Sequence, residues 1–131
     1  MFDTQIKVLV VDDMMTMRKL VSKICKEVGF QNLMEAGDGI QAWEAIQGSN
    51  PPIGLVISDW NMPNCSGLDL VKRIRADSRF KNTPFLMVTA EAEQHQVVEA
   101  IKAGVDNYVV KPFGKDQLIE KLEAVHKKRG G

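Results

Sequence analysis

The sequence predicts an α/β domain built on a parallel sheet, and three observations carry that prediction. Five short apolar runs recur along 131 residues: Lys7-Val8-Leu9-Val10-Val11, Leu33-Met34-Glu35-Ala36, Leu55-Val56-Ile57-Ser58, Phe85-Leu86-Met87-Val88 and Tyr108-Val109-Val110. Most are continuous rather than alternating, which suits strands covered on both faces. Segments with helical spacing separate them, so strand and helix alternate along the chain.

Each element has its own local warrant. The first run ends in Asp12-Asp13. Met17, Leu20, Val21, Ile24 and Val28 then follow helical spacing, with Thr16 as a cap and Gly29 as a stop. Leu33 to Ala36 is a shorter, weaker strand, and Asp38-Gly39 turns the chain into a helix over Ile40 to Gln47. Gly48-Ser49-Asn50-Pro51-Pro52 breaks that helix. The third run stops at Asp59; Asn61 to Gly67 form a loop, and Ser66 caps a helix carrying Leu68, Val71 and Ile74. The fourth run ends in Thr89 and leads to a helix from about Ala92 to Ala103, with Val97, Val98 and Ile101 on its apolar side. The fifth ends in Lys111-Pro112, and the last helix carries Leu118, Ile119, Leu122 and Val125. Its basic end, His126-Lys127-Lys128-Arg129, reads as a solvated helix terminus where the dipole favours positive charge.

Bulk properties set the outer limits. The length fits one domain, with no repeat or linker and no second domain expected. Hydrophobic residues make up 44% and charged residues 26%, ordinary values for a folded chain that needs no disulfide or metal to form a core. Lys+Arg and Asp+Glu both number 17, so no global basic field favours DNA or a membrane surface. No run reaches the length of a membrane span, and the N-terminus lacks a secretory pattern. Cys25 and Cys65 are isolated thiols, as expected of a reduced, cytoplasmic protein.

Parallel strands joined by right-handed crossovers point the same way, so their C-terminal ends share one edge. Ligands of open α/β sheets bind there, at the point where strand order reverses. In the flavodoxin-like order 2-1-3-4-5, a five-stranded three-layer (βα)5 sandwich, that point lies between strands one and three. Asp12 and Asp13 then stand beside Asp59, with Thr89 and Lys111 on the same edge. Close carboxylates repel, and Lys111 neutralises only one of the three charges. Hard oxygen donors in a water-accessible site suit Mg2+, whereas no His or Cys is placed for zinc. A metal-bound carboxylate can also be a nucleophile toward phosphorus. The transferred group needs a cation and donors on its oxygens, and Lys111 and Thr89 can supply donors. A single strand-end Asp is commonly a turn or cap residue. Four strand ends with complementary chemistry are a different matter.

Asp12-Asp13, Ile57-Ser58-Asp59-Trp60-Asn61-Met62-Pro63, Val88-Thr89-Ala90 and Val110-Lys111-Pro112-Phe113 resemble the receiver domain of bacterial two-component response regulators, from about Ile6 to His126. Asp59-Trp60-Asn61-Met62-Pro63, Met87-Val88-Thr89-Ala90-Glu91 and Tyr108 to Phe113 are similar in particular to the chemotaxis regulators of that family. The resemblance implies that Asp59 takes a phosphoryl group from a phosphohistidine on a sensor kinase. It implies Mg2+ on Asp13, Asp59 and the carbonyl of Asn61, with Asp12 ligating directly or through water. Lys111 would contact the phosphoryl group, Thr89 would swing toward it, and Tyr108 would move inward behind Thr89. That movement would remodel a partner face around Val97, Tyr108 and Lys121. The Lys111-Pro112 bond would be cis, and Glu91 would tune phosphoryl lifetime. Cys65-Ser66-Gly67 departs from the family's usual Met-Asp-Gly, but Ser can cap a helix as Asp does.

The expected activity is a monomeric stand-alone switch, not an enzyme acting on other substrates, with residues 1–131 as one receiver domain and no output domain. Its expected partners are a histidine kinase, the flagellar motor switch and a phosphatase. The alternative is a phosphorelay carrier that meets a histidine phosphotransfer protein near the first helix. A phosphatase of the haloacid-dehalogenase type would need a second Asp where Asn61 stands. A flavodoxin-like electron carrier would have to bind flavin phosphate against Asp12-Asp13.

Overall fold

The computed structural model describes residues 2–90 and 94–129, with residues 94 and 95 as backbone only. The elements in order are β1 (Lys7–Val11), α1 (Met15–Val28), β2 (Asn32–Ala36), α2 (Gly39–Gly48), β3 (Ile53–Asp59), α3 (Gly67–Ala76), β4 (Phe85–Thr89), α4 (Gln94–Ala103), β5 (Asn107–Val110) and α5 (Lys115–Lys128). The strands form one parallel sheet in the order β2-β1-β3-β4-β5. This is the flavodoxin-like arrangement expected from the sequence.

The continuous runs have a simple cause. Side chains alternate across a strand, and here both faces are covered. Val8, Val10, Leu55, Ile57, Leu86 and Val88 face α1 and α5, where Val21, Ile24, Leu118, Leu122 and Val125 meet them. Leu9, Val11, Val56, Phe85 and Met87 face the other layer, where Ala42, Ile46, Leu70, Val71, Ile74 and Ala100 pack. The edge strand β2 keeps only Ala36 fully buried, which explains its weaker run.

The helix ends follow local chemistry. Gly29 stops α1 at φ 122°, a left-handed conformation that needs glycine, and its N–H donates to the carbonyls of Cys25 and Lys26. Asp38 accepts from the Gln41 N–H at 2.8 Å to start α2, and Ser66 accepts from the Asp69 N–H at 3.1 Å to start α3. Three expectations change. Thr16 does not cap α1: Met14 holds that position, and Thr16 lies inside the helix. Leu20 is exposed, as are Val98 and Ile101, so the apolar stripes on α1 and α4 are narrower than their spacing suggests. Among the described side chains of α4, Ala100 is the one buried fully, because a small side chain lets the helix sit close to the sheet. The Ala92 start of that helix lies outside the described residues.

The third change concerns Arg129, which is not part of a solvated tail. It pairs with Asp106 Oδ1 at 2.8 Å, although that contact is not aligned as a hydrogen bond. Asp106, just before β5, has a side chain only 1% exposed. Its Oδ2 accepts from the Phe85 N–H at 2.9 Å and from Arg75 Nη2 at 3.2 Å. Arg75 also donates to the carbonyls of Gly104, Lys81 and Thr83. This cluster closes the N-terminal edge of the sheet.

Candidate functional site

At the opposite edge, β1 exits into Asp12-Asp13, β3 ends at Asp59, β4 at Thr89, and β5 exits into Lys111. Because β1 lies between β2 and β3, the strand order reverses beside it. One oxygen from each of Asp12, Asp13 and Asp59 lies within 4.8 Å of the others. Asp12 is 2% and Asp59 9% exposed, while Asp13 faces solvent. Lys111 reaches across β4 to both buried acids, with Nζ 3.0 Å from Asp12 Oδ2 and 3.4 Å from Asp59 Oδ1.

The backbone fixes these carboxylates. Asp12 Oδ1 accepts from the Met14 N–H at 2.9 Å, and Asp59 Oδ1 accepts from the Trp60 N–H at 2.9 Å. Burial pushes the Asp59 carboxyl above its ordinary range; the Lys111 charge opposes this and the Asp12 charge adds to it. Three carboxylates against one ammonium leave two negative charges.

Thr89 is buried at the end of β4, and its carbonyl accepts from the Lys111 N–H at 2.8 Å. A cavity of about 200 Å³ opens beside it, lined by Trp60, Asn61, Thr89, Ala90 and Gln96. Asn61 is exposed and Trp60 half-buried. Lys111-Pro112 is a cis bond. Glu91 lies outside the described residues.

Tyr108 is half-buried on β5, with Lys121 Nζ 5.3 Å from its ring centroid, within cation–π range. The two share a groove of about 360 Å³ with Gln117 and Glu120. Val97 is half-buried on α4.

Residues 8–123 match the response regulator receiver domain. The chain belongs to that family. This receiver domain is 48% identical over 119 residues to chemotaxis protein CheY1 of Helicobacter pylori, covering 91% of this chain and 95% of the relative. It is 44% identical over 125 residues to CheY of Pseudomonas aeruginosa, covering 95% and 99%. Among solved structures, the chemotaxis response regulator CheY4 of Vibrio cholerae superposes with a TM-score of 0.83 at 35% identity, over 92% of this chain and 98% of the other. The receiver domain is thus closely related to the CheY chemotaxis regulators, and its role is that of a signalling switch. Among the described residues, no helix is long and apolar enough to cross a membrane.

The donor set of this receiver domain fits a hard divalent cation. All three acids offer oxygen, one of them open to water, and the surplus negative charge is that of a dication. Arg18 also contributes, and sequence reading missed it. Its Nη1 donates to the Asp12 carbonyl at 2.9 Å and its Nε to Glu35 at 3.0 Å, which ties α1 and β2 to the acid pair. The sequence offers only a basic residue on an amphipathic helix, with no motif to mark it. Both cysteines are free and buried, and burial pushes the Cys25 thiol up to about 12 and raises that of Cys65.

Proposed function

We propose that this receiver domain stores a phosphoryl group on Asp59 and signals by changing its affinity for another protein. The observation that carries the reading is the pair of contacts from Lys111 to Asp12 and Asp59 beside exposed Asp13. An ammonium already aimed at the acids can follow the charge when it moves onto a phosphoryl group.

Asp12, Asp13, Asp59 and the Asn61 carbonyl would hold Mg2+. When bound, the ion supplies positive charge opposite the incoming phosphoryl oxygens. The chain does the rest. Both described contacts to Asp59 fall on Oδ1, so we assign attack to Oδ2. That oxygen forms a bond to phosphorus as the bond to the donor imidazole nitrogen breaks, and the imidazole leaves with the bonding pair. Lys111 then takes one oxygen of the new acyl phosphate and Thr89 another. The added charge, about −1.5 to −2 on a phosphorylated side chain, requires such partners.

The donor is a histidine kinase, and release is aided by a phosphatase. Output falls on the face around Val97, Tyr108 and Lys121, whose target we assign to the flagellar motor switch. Similarity to proteins named for chemotaxis supports that target, and coverage of nearly their whole length supports single-domain action.

Incubation with acetyl phosphate and Mg2+ should add one acyl phosphate, seen by intact mass, and Asp59→Asn should abolish it. Undiminished labelling of that variant would move the nucleophile elsewhere. With beryllofluoride as phosphoryl mimic, the full chain should retain a motor-switch protein more strongly than without it. Retention of a histidine phosphotransfer protein instead would favour the relay carrier.

A further inference from the structure

The loop that carries Asn61 is held at two points, and only one belongs to its own strand and helix. At its base, the Gly67 N–H donates to the Trp60 carbonyl at 2.9 Å. At its far end it meets α2. Asn64 Nδ2 donates to Asp38 Oδ2 at 3.2 Å, while the other oxygen of Asp38 caps α2. A Cβ at Gly39 would lie 2.5 Å from the backbone carbonyl of Cys65 and 2.6 Å from its Sγ. Helix and loop therefore touch backbone to side chain with no room for a methyl group. Asn64 itself has φ 69°, a left-handed conformation unusual for a residue other than glycine. Asparagine tolerates that conformation better than most residues, and the Asp38 bond is placed to hold it.

We propose that the first turn of α2 is a positioning element for the cation site, acting through Asp38 and Gly39 on the loop from Trp60 to Ser66. Asn61 sits three residues from the Asn64 anchor and next to the base anchor at Trp60. Fixing both ends limits where its carbonyl can point. None of these α2 residues touches the cation; their effect is on how much order the loop must gain when the cation binds. The inference rests on the Mg2+ site proposed above.

The test is Mg2+ titration of the full chain, followed by Trp60 emission in a Trp43→Phe background, with the melting temperature measured without Mg2+. Asp38→Ser keeps the helix cap but is too short to reach Asn64. Gly39→Ala improves helix propensity yet forces the helix and loop apart. Each should weaken Mg2+ binding by about 10-fold, the lower end of the loss seen when a metal ligand loses its outer support. Asp38→Ser should not lower the metal-free melting temperature in proportion, whereas Gly39→Ala should lower it as well, because its methyl meets a backbone carbonyl. The double variant should bind no worse than the weaker single, because both act on one contact. Wild-type affinity in both singles would overturn the proposal, as would a melting temperature of Asp38→Ser that falls in step with its binding. Absence of Mg2+ binding in the parent, or unchanged binding in Asp13→Asn, would instead overturn the site itself.

Discussion

The two edges of the sheet each bury charge, and they do it in opposite ways. At the N-terminal edge, one carboxylate, Asp106, meets two arginines and a backbone N–H. At the C-terminal edge, two buried carboxylates, Asp12 and Asp59, share one lysine beside exposed Asp13. Burial is costly for any charge and tolerable when partners replace water. The first cluster finds its partners within the chain. Among the described residues the second remains short of positive charge, the balance that the proposed cation would supply. Compensated charge here marks a structural joint, and uncompensated charge marks the site.

The largest expected effect is on the compensated edge. Arg75→Ala removes a guanidinium that also holds three carbonyls, and leaves buried Asp106 with the Phe85 N–H and one poorly aligned cation, Arg129. A loss of about 3–5 kcal/mol is expected, the cost of breaking one side of a buried pair. Urea denaturation measures it, and a loss below 1 kcal/mol would make the joint no better than a surface ion pair. Burial and the Arg129 charge already pull the Arg75 guanidinium down to about 10.

The uncompensated edge should respond with the opposite sign. Asp59→Asn removes a carboxylate whose ionised form is disfavoured by burial and by the Asp12 charge, against the opposing Lys111 charge. The variant should melt higher than the parent without Mg2+, by about 2–5 °C, the shift that ~1 kcal/mol produces in a domain of this size. The pH dependence fixes the cause. A carboxyl raised in the folded state binds protons more readily folded than unfolded. Its destabilising effect is therefore absent below the ordinary carboxylate range and develops as pH rises through the folded value. The advantage of the Asn variant should hold at neutral pH and vanish at about pH 3. An advantage that persists in acid would refute charge as its origin. Mg2+ should raise the melting temperature of the parent and leave that of Asp59→Asn nearly unchanged.

The smallest effect lies at the surface. Glu35 is exposed; slight desolvation opposes its ionisation, but hydrogen bonds from Lys19 and Arg18 outweigh this and lower its carboxyl. Lys19 is 63% exposed, so Lys19→Ala should cost less than about 0.5 kcal/mol in the same urea assay.

Much of this contrast was legible in the sequence, for physical reasons. Buried parallel strands must be apolar throughout, so Val8 to Val11 and Leu55 to Ile57 announced themselves. Asp12, Asp13, Asp59 and Lys111 were legible because charge at the exit of such strands is otherwise costly. Asp106 was not, because Gly104-Val105-Asp106-Asn107 reads as a turn and its arginines come from 31 residues before and from the end of α5. Arg129 sits in a basic run whose two lysines, Lys127 and Lys128, are exposed, while His126 is half-buried with its ring 4.8 Å from that of Phe2. Nothing local distinguishes a solvated arginine from one that folds back onto a carboxylate. Asp38 was legible as a helix start, but its second bond, to Asn64, depends on how two loops meet.

One detail at the end of β4 sets the range of the switch. Thr89 pairs with Val110 across the ladder, and its carbonyl is tied to the Lys111 amide. With the main chain tied at this point, the response proposed for Thr89 would be a turn of its side chain between staggered positions. Such a rotor carries its hydroxyl no more than about 3 Å, roughly the length of one hydrogen bond. A phosphoryl oxygen must arrive within that radius to trip it, and a diffuse change of charge farther off turns nothing. In the proposed switch the trigger would thus be short-ranged, answering to a group seated on Asp59 and not to anions that merely pass the mouth of the site.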